Sequence, residues 1–249
     1  MRALRALLII GVILGGLFVA ADRFAVGYAE DRAAGKIKAS QGLVSEPDVS
    51  IKGFPFLTQA AAFELDEVEV RLDGVKASAE GHQVDVTEVE AELRDVKFDS
   101  NFSSGTAARA TGSARISYEA LAKAAPVGAT VAYAGPERAA KGQVKISGSV
   151  DDLLARAGIA VPDALMRMVK GDRPLTVYST VSIVDGKTVR LQAEDIPGLP
   201  GSFQKKVSKA VDYELRIDGL PRSITLDRAT ATEEGLRFSG TGTGVSLTG

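Results

Sequence analysis

From Asp48 onward apolar residues alternate with polar ones along most of this chain, and a period of two dictates strands rather than helices. Phe63 and Leu65 share one parity, whereas Val68, Val70 and Leu72 take the other. A one-residue slip turns every side chain to the opposite face. A strand that continues through a change of parity therefore carries an extra residue, as at a β-bulge. The change falls at Asp66-Glu67. It recurs where Val84 and Val86 give way to Val89, Ala91 and Leu93, and again before Val96 and Phe98. Long amphipathic strands bent at intervals suit a sheet that curls around something.

The second half repeats the pattern in shorter pieces. Leu175, Val177, Val181 and Ile183 alternate up to Asp185-Gly186, and Val189, Leu191 and Ala193 continue beyond it. Asp-Gly there predicts a hairpin, because a type I′ turn needs positive φ at both central residues. Tyr213, Leu215 and Ile217, then Ile224 and Leu226, then Leu236 and Phe238 predict further strands. The tail Gly240 to Gly244 leaves one face of its strand without side chains, so another backbone or a ligand can approach closely. Short helices are expected at Ser117–Ala124, at Leu153–Ala157 capped by Asp151-Asp152, at Pro162–Lys170 and at Ser202–Val211. The Ala/Gly/Pro-rich stretch from Ala124 to Gly142 reads as a loop or internal boundary. Strands interrupted by scattered helices give an α+β class, mostly β, without βαβ repeats.

The chain opens with Arg2 and Arg5, then sixteen uncharged residues from Ala6 to Ala21. A helix of that length spans roughly 24 Å, short of the ~30 Å hydrocarbon core of a bilayer. Val19-Ala20-Ala21 supplies the small residues a signal peptidase cuts after, so residues 1–21 read as a cleaved signal peptide or as an uncleaved anchor. Either reading exports residues 22–249, an extracytoplasmic domain of the cell envelope. Phe24, Tyr28, Ala29, Ala33 and Ile37 recur at helical spacing, as expected for a helix that packs this stripe on the core, the alternative being a helix that lies on a membrane.

Chemistry is sparse. Without Cys, thiol nucleophiles, disulfides and thiolate metal sites are excluded, and one His forbids a His-rich metal site. A net charge of −2 speaks against a nucleic-acid surface. His82, in Glu80-Gly81-His82-Gln83, reads as a turn residue between strands. Glu64, Asp66, Glu67 and Glu69 alternate with apolar residues, as on the solvated face of a strand. No nucleophile elbow, phosphate loop or dinucleotide fingerprint is present. The reading is a protein that binds, with no catalytic residue, metal or cofactor. A carbohydrate-active enzyme would require two carboxylates converging in a cleft.

Two segments stand apart. Ile51 to Gln59 concentrates Phe54, Pro55, Phe56 and Leu57 where ordinary turns are polar, followed shortly by Phe63. It is either a plug closing the end of the core or the apolar lip of a ligand cavity. In the Ser202–Val211 segment Phe203, Val207 and Val211 form a stripe, and Lys205, Lys206 and Lys209 fall off it. That is either a core-packed helix with a solvated basic face or a surface meeting phosphate headgroups.

The Gly53-Phe54-Pro55-Phe56-Leu57-Thr58-Gln59 block, the Val-Glu-Val strand after it and the pattern around Gly219-Leu220-Pro221 and Glu234-Gly235-Leu236 resemble the actinobacterial LmeA-like phospholipid-binding family. The resemblance covers nearly the whole exported part. It implies an envelope protein binding phospholipid, of phosphatidylinositol type among others, tied in mycobacterial relatives to lipomannan and lipoarabinomannan assembly. It also implies a long curved antiparallel sheet, barrel-like or tubular, wrapped around a helix. Phe54 and Phe56 carry over as cavity elements. The expected lipid-binding set is then Phe54, Pro55, Phe56, Leu57, Phe63, Phe203 and Val207, with Lys205, Lys206 and Lys209 at headgroups or a membrane surface. The competing class is a structural or scaffolding envelope protein with a solid core.

Overall fold

The computed structural model describes residues 2–79, 82–124, 130–148, 175–195, 212–217, 220 and 222–248. The expected helices at 153–157, 162–170 and 202–211 lie outside these residues, and with them Phe203, Lys205, Lys206, Val207 and Lys209. The chain divides into two compact units, Met1–Asp73 with Glu90–Gly112 and Gly242–Gly249, and Gly74–Val89 with Ser113–Thr241.

The first unit begins with α1 (Arg2–Gln41), one uninterrupted helix of 40 residues. It is long and apolar enough to cross a membrane. The second half of α1 buries Asp22, Val26 and Ala34, which share one face. Phe24 and Tyr28, expected to pack inward, are instead 82% and 63% exposed. The reason is steric: small side chains let the helix lie close along β1 (Asp48–Lys52), and its bulky aromatics turn away. Glu30 Oε1 accepts the Ile51 N–H at 2.7 Å. This satisfies an outward-facing amide of an edge strand that would otherwise be open to pairing.

After β1 comes α2 (Phe56–Ala61), a short helix absent from the sequence reading. Then follow β2 (Glu64–Ala79), β3 (His82–Phe98) and β4 (Ser104–Ser117). β1 pairs antiparallel with β2 from Asp48↔Arg71 to Lys52↔Glu67. The long strands run through the predicted changes of parity. Leu65 and Val68 are both buried across Asp66-Glu67, and Asp95, with φ +52, stands between half-buried Leu93 and buried Val96.

The second unit holds α3 (Tyr118–Ala124), β5 (Thr130–Tyr133), α4 (Pro136–Ala139), β6 (Gln143–Gly148), β7 (Leu175–Val184), β8 (Thr188–Asp195), β9 (Tyr213–Arg216) and β10 (Ile224–Ala231). β11 (Gly235–Thr248) contributes its first half. The helix expected at Ser117–Ala124 forms one residue later, and the Ser117 hydroxyl accepts the Ala120 N–H at 3.1 Å, capping α3. β5 and α4 occupy the stretch expected to be a loop. Asp185 and Gly186 have φ +54 and +63, as the type I′ hairpin requires, and Lys187 N–H donates to Val184 O. Val144, Val181, Val189, Leu236 and Phe238 form this unit's core, with Ala139 and Ala231 filling the gaps. The glycine face of β11 is used by backbone: a Cβ on Gly240 would come within 2.6 Å of Thr225 O.

The sheets run β1-β2-β3-β4-β11-β10 and β5-β6-β7-β8-β9. The α+β, mostly β, antiparallel class holds, but the barrel-like expectation is corrected. The strand orders are open, with β1 at one edge of the longer sheet. With α1 covering β1, that edge is protected without closure.

Candidate functional site

The Gly53-to-Gln59 block lies in the first unit between the end of β1 and the start of β2. Gly53 takes φ +97, and a Cβ there would collide with the Gln59 side-chain amide and lie 2.8 Å from Asp66 Oδ2. Only glycine combines that backbone with that space. Gln59 Oε1 accepts the Asp66 N–H at 2.8 Å, tying the end of α2 to the first turn of β2. Gln59 Nε2 is buried without a partner. The Phe54–Pro55 peptide is cis.

The block divides by exposure. Phe56 is 8% exposed and belongs to the core, Pro55 and Leu57 are half-buried, and Phe54 is 59% exposed. Phe56 therefore packs as a plug at the end of the core, and Phe54 projects from it. The loop is fastened to α1 by Asp22, a fully buried carboxylate. Asp22 Oδ1 accepts the Leu57 N–H at 2.8 Å, and Oδ2 accepts from Arg23 Nη2 at 2.6 Å. The first amides of α2 lack partners within their own helix, so a carboxylate from another helix takes the place of a side-chain cap. The Arg23 guanidinium stands over the Phe54 ring, 5.5 Å from its centroid.

Phe63 does not join Phe54. It sits where α2 turns into β2, with φ +56, and its ring lies 5.2 Å from that of Phe102, which is 5.5 Å from Phe98. Phe102 also has positive φ, +54, and is 45% exposed. A bulky residue rarely adopts this backbone unless its surroundings hold it there. Here Asp99 supplies the hold. Its carboxylate accepts both hydroxyls and both backbone N–H groups of Ser103 and Ser104, at 2.7–3.1 Å. The Ser103 hydroxyl, with help from those of Ser104 and the amides, lowers the Asp99 pKa to about 2 against a smaller opposing effect of desolvation.

The carboxylates of β2 and β3 face solvent and cations. Glu64 pairs with Lys97 at 2.7 Å, Glu67 with Arg94 at 3.2 Å, Glu69 with Lys52 at 3.0 Å and Glu90 with Arg71 at 2.8 Å. This is a cross-strand ladder of opposite charges, an ordinary use of the solvated face. Among the described residues no group of three or more His, Asp or Glu is arranged to hold a metal ion.

Sequence reasoning missed Asp22, Arg23, Phe98 and Phe102. The only local signal for the first pair was a charged dipeptide at the end of the apolar run. For the second pair there was none, since Phe102 meets Phe63 only through the fold.

Neither a curated protein nor a solved structure matches the chain. A family model does, over residues 20–241, a span that takes in Asp22, the fastened loop, α2 and the aromatic cluster. With nearly its whole length matched, this chain belongs to the LmeA-like phospholipid-binding family.

Proposed function

We propose that the chain is an exported, non-enzymatic protein of the cell envelope that carries or presents an anionic phospholipid, of phosphatidylinositol type, in support of lipoglycan assembly. Family membership over residues 20–241 carries this reading. The apolar first half of α1 supports an extracytoplasmic position, as signal or anchor. The ion-paired state of Glu64, Glu67 and Glu69 supports binding rather than catalysis. Acyl chains gain about 0.8 kcal/mol per buried CH₂, so ordinary Val, Leu, Ile and Phe side chains suffice as a lining. Phe54, Pro55, Phe56, Leu57 and Phe63 are the proposed apolar contacts, joined by Phe203 and Val207. Lys205, Lys206 and Lys209 are the proposed headgroup and membrane-surface contacts.

The test is mass spectrometry of organic extracts from residues 22–249, which retain Asp22, purified without detergent from a phospholipid-containing host. Stoichiometric phospholipid above an identically purified control is the expected result. No lipid, together with no uptake from anionic vesicles, refutes the reading.

A further inference from the structure

Beyond Ala21, where the apolar run of α1 ends, the exposed large hydrophobic residues among those described are Phe24, Tyr28, Val44, Phe54 and Phe102. Four of the five are aromatic, and the topology of the first unit gathers those four at one end. Asp22 is bonded to Leu57, just past the C-terminal end of β1. Glu30 is bonded to Ile51 within β1, and Ser45, beyond the helix, to Asp73 O in β2 opposite the N-terminal end of β1. The helix therefore runs antiparallel along β1 and leaves the sheet at the end that carries the 53–57 loop. In an antiparallel sheet that same end holds the start of β2, the end of β3 and the start of β4, and so the Asp99–Ser104 turn with Phe102. Val44 lies at the opposite end of the helix, 93% exposed.

We propose that this end of the first unit docks on a phospholipid bilayer, with α1 passing into the hydrocarbon and Phe54 and Phe102 lying in the headgroup layer beside it. Place Ala6–Ala21 in the hydrocarbon, and Asp22 marks its boundary. At about 1.5 Å per residue Phe24 then stands roughly 3 Å above the boundary and Tyr28 roughly 9 Å. The headgroup layer on each side is on the order of 5–8 Å thick. Aromatic rings are favoured at this depth because they combine an apolar body with a polarisable face or polar tip. Arg23 fits the same layer, its side chain half-exposed beside Phe54 and within reach of phosphate oxygens. The fully buried Asp22 explains why the loop stays at this height: it locks the loop to the helix at the level where the apolar run ends. The outward-turned Phe24 gains a reason that core packing did not supply, while Tyr28 stands at the outer margin of the layer. The docking deepens the phospholipid reading and shares its premise that the chain works on lipid.

The chain contains no Trp, so a single introduced Trp reports its own depth. The full chain would be reconstituted in phosphatidylcholine/phosphatidylglycerol vesicles as Phe54→Trp, Phe102→Trp and Val44→Trp variants. Phospholipids brominated near the top of their acyl chains serve as quenchers. The expected result is quenching of Phe54→Trp and Phe102→Trp that deepens in proportion to the mole fraction of brominated lipid, with Val44→Trp unquenched. Quenching that saturates at one brominated lipid per chain marks a captured molecule and overturns the docking. So does emission from Phe54→Trp that matches Val44→Trp. The two readings fail separately: no quenching with lipid still recovered in extracts sinks the docking alone, and proportional quenching with lipid-free extracts sinks the carrier function alone.

Discussion

Phe54 and Phe56 are separated by one proline and should answer truncation in opposite ways. Phe56 is 8% exposed at the first position of α2, so Phe56→Ala removes a buried ring and leaves a cavity that neighbouring backbone cannot fully close. Such truncations cost about 3–5 kcal/mol. For a chain of this size each kcal/mol moves the melting temperature by about 2–4 °C, so the midpoint should fall by roughly 6–20 °C. Phe54 is 59% exposed, and its ring lies under the Arg23 guanidinium. An exposed cation–π pair contributes about 0.5–1 kcal/mol, so Phe54→Ala should lower the midpoint by no more than about 4 °C. Thermal unfolding of the two full-length variants, followed by circular dichroism in one detergent, makes the comparison. Equal shifts, or a larger one for Phe54→Ala, would refute the division of the block into a plug and a projecting ring.

Gly53→Ala should destabilise the first unit by about 1–3 kcal/mol, since φ +97 and the collision with Gln59 both oppose a methyl group; urea unfolding reads it. Asp22→Ala should make Gly53–Leu57 the first site of limited proteolysis, because the Leu57 amide loses its acceptor; an unchanged cleavage pattern would show that the latch is unnecessary. Asp99, whose pKa in the fold is lowered to about 2, stabilises the folded turn fully above about pH 4. That stabilisation is lost as pH falls through about 2, so the protection of the Ser103 and Ser104 amides relative to their intrinsic exchange rates should fall over this window in the native chain and not in Asp99→Asn. Tyr118, whose hydroxyl donates to Thr232 O at 2.7 Å, has a pKa raised to about 12, chiefly by burial. Its contribution is complete below about pH 10 and is lost as pH rises through about 12, and Tyr118→Phe should remove a step near pH 12 from an ultraviolet titration.

The strands were legible because their signal is local. A change of parity at Asp66-Glu67 or between Leu93 and Val96 needs no knowledge of the partner strand, and the Asp185-Gly186 signal is equally short-range. The orientation of α1 was not legible. Periodicity finds an apolar stripe but does not say whether Phe24 and Tyr28 or Val26 and Ala34 meet the sheet, and close approach favoured the small residues. α2 is too short for a period to emerge, and its N-terminal partner lies 35 residues away at Asp22. The aromatic cluster joins Phe63 to Phe102 by backbone conformations that no side-chain pattern announces.

The continuity of α1 bears on where the first unit can work. A carrier on a flexible tether samples a volume whose radius grows with linker length, and it can bridge to a facing surface. Between Ala21 and the packed part of this helix there is no linker at all: the same rod enters the fold and is fastened at Asp22 and Glu30. Held in a bilayer by its first half, such a rod fixes the first unit at one elevation and leaves it lateral diffusion and rotation about the helix axis. Its encounters are then those of a two-dimensional search, and under the proposed carrier function any acceptor of the lipid must travel in the same leaflet or be brought down to it.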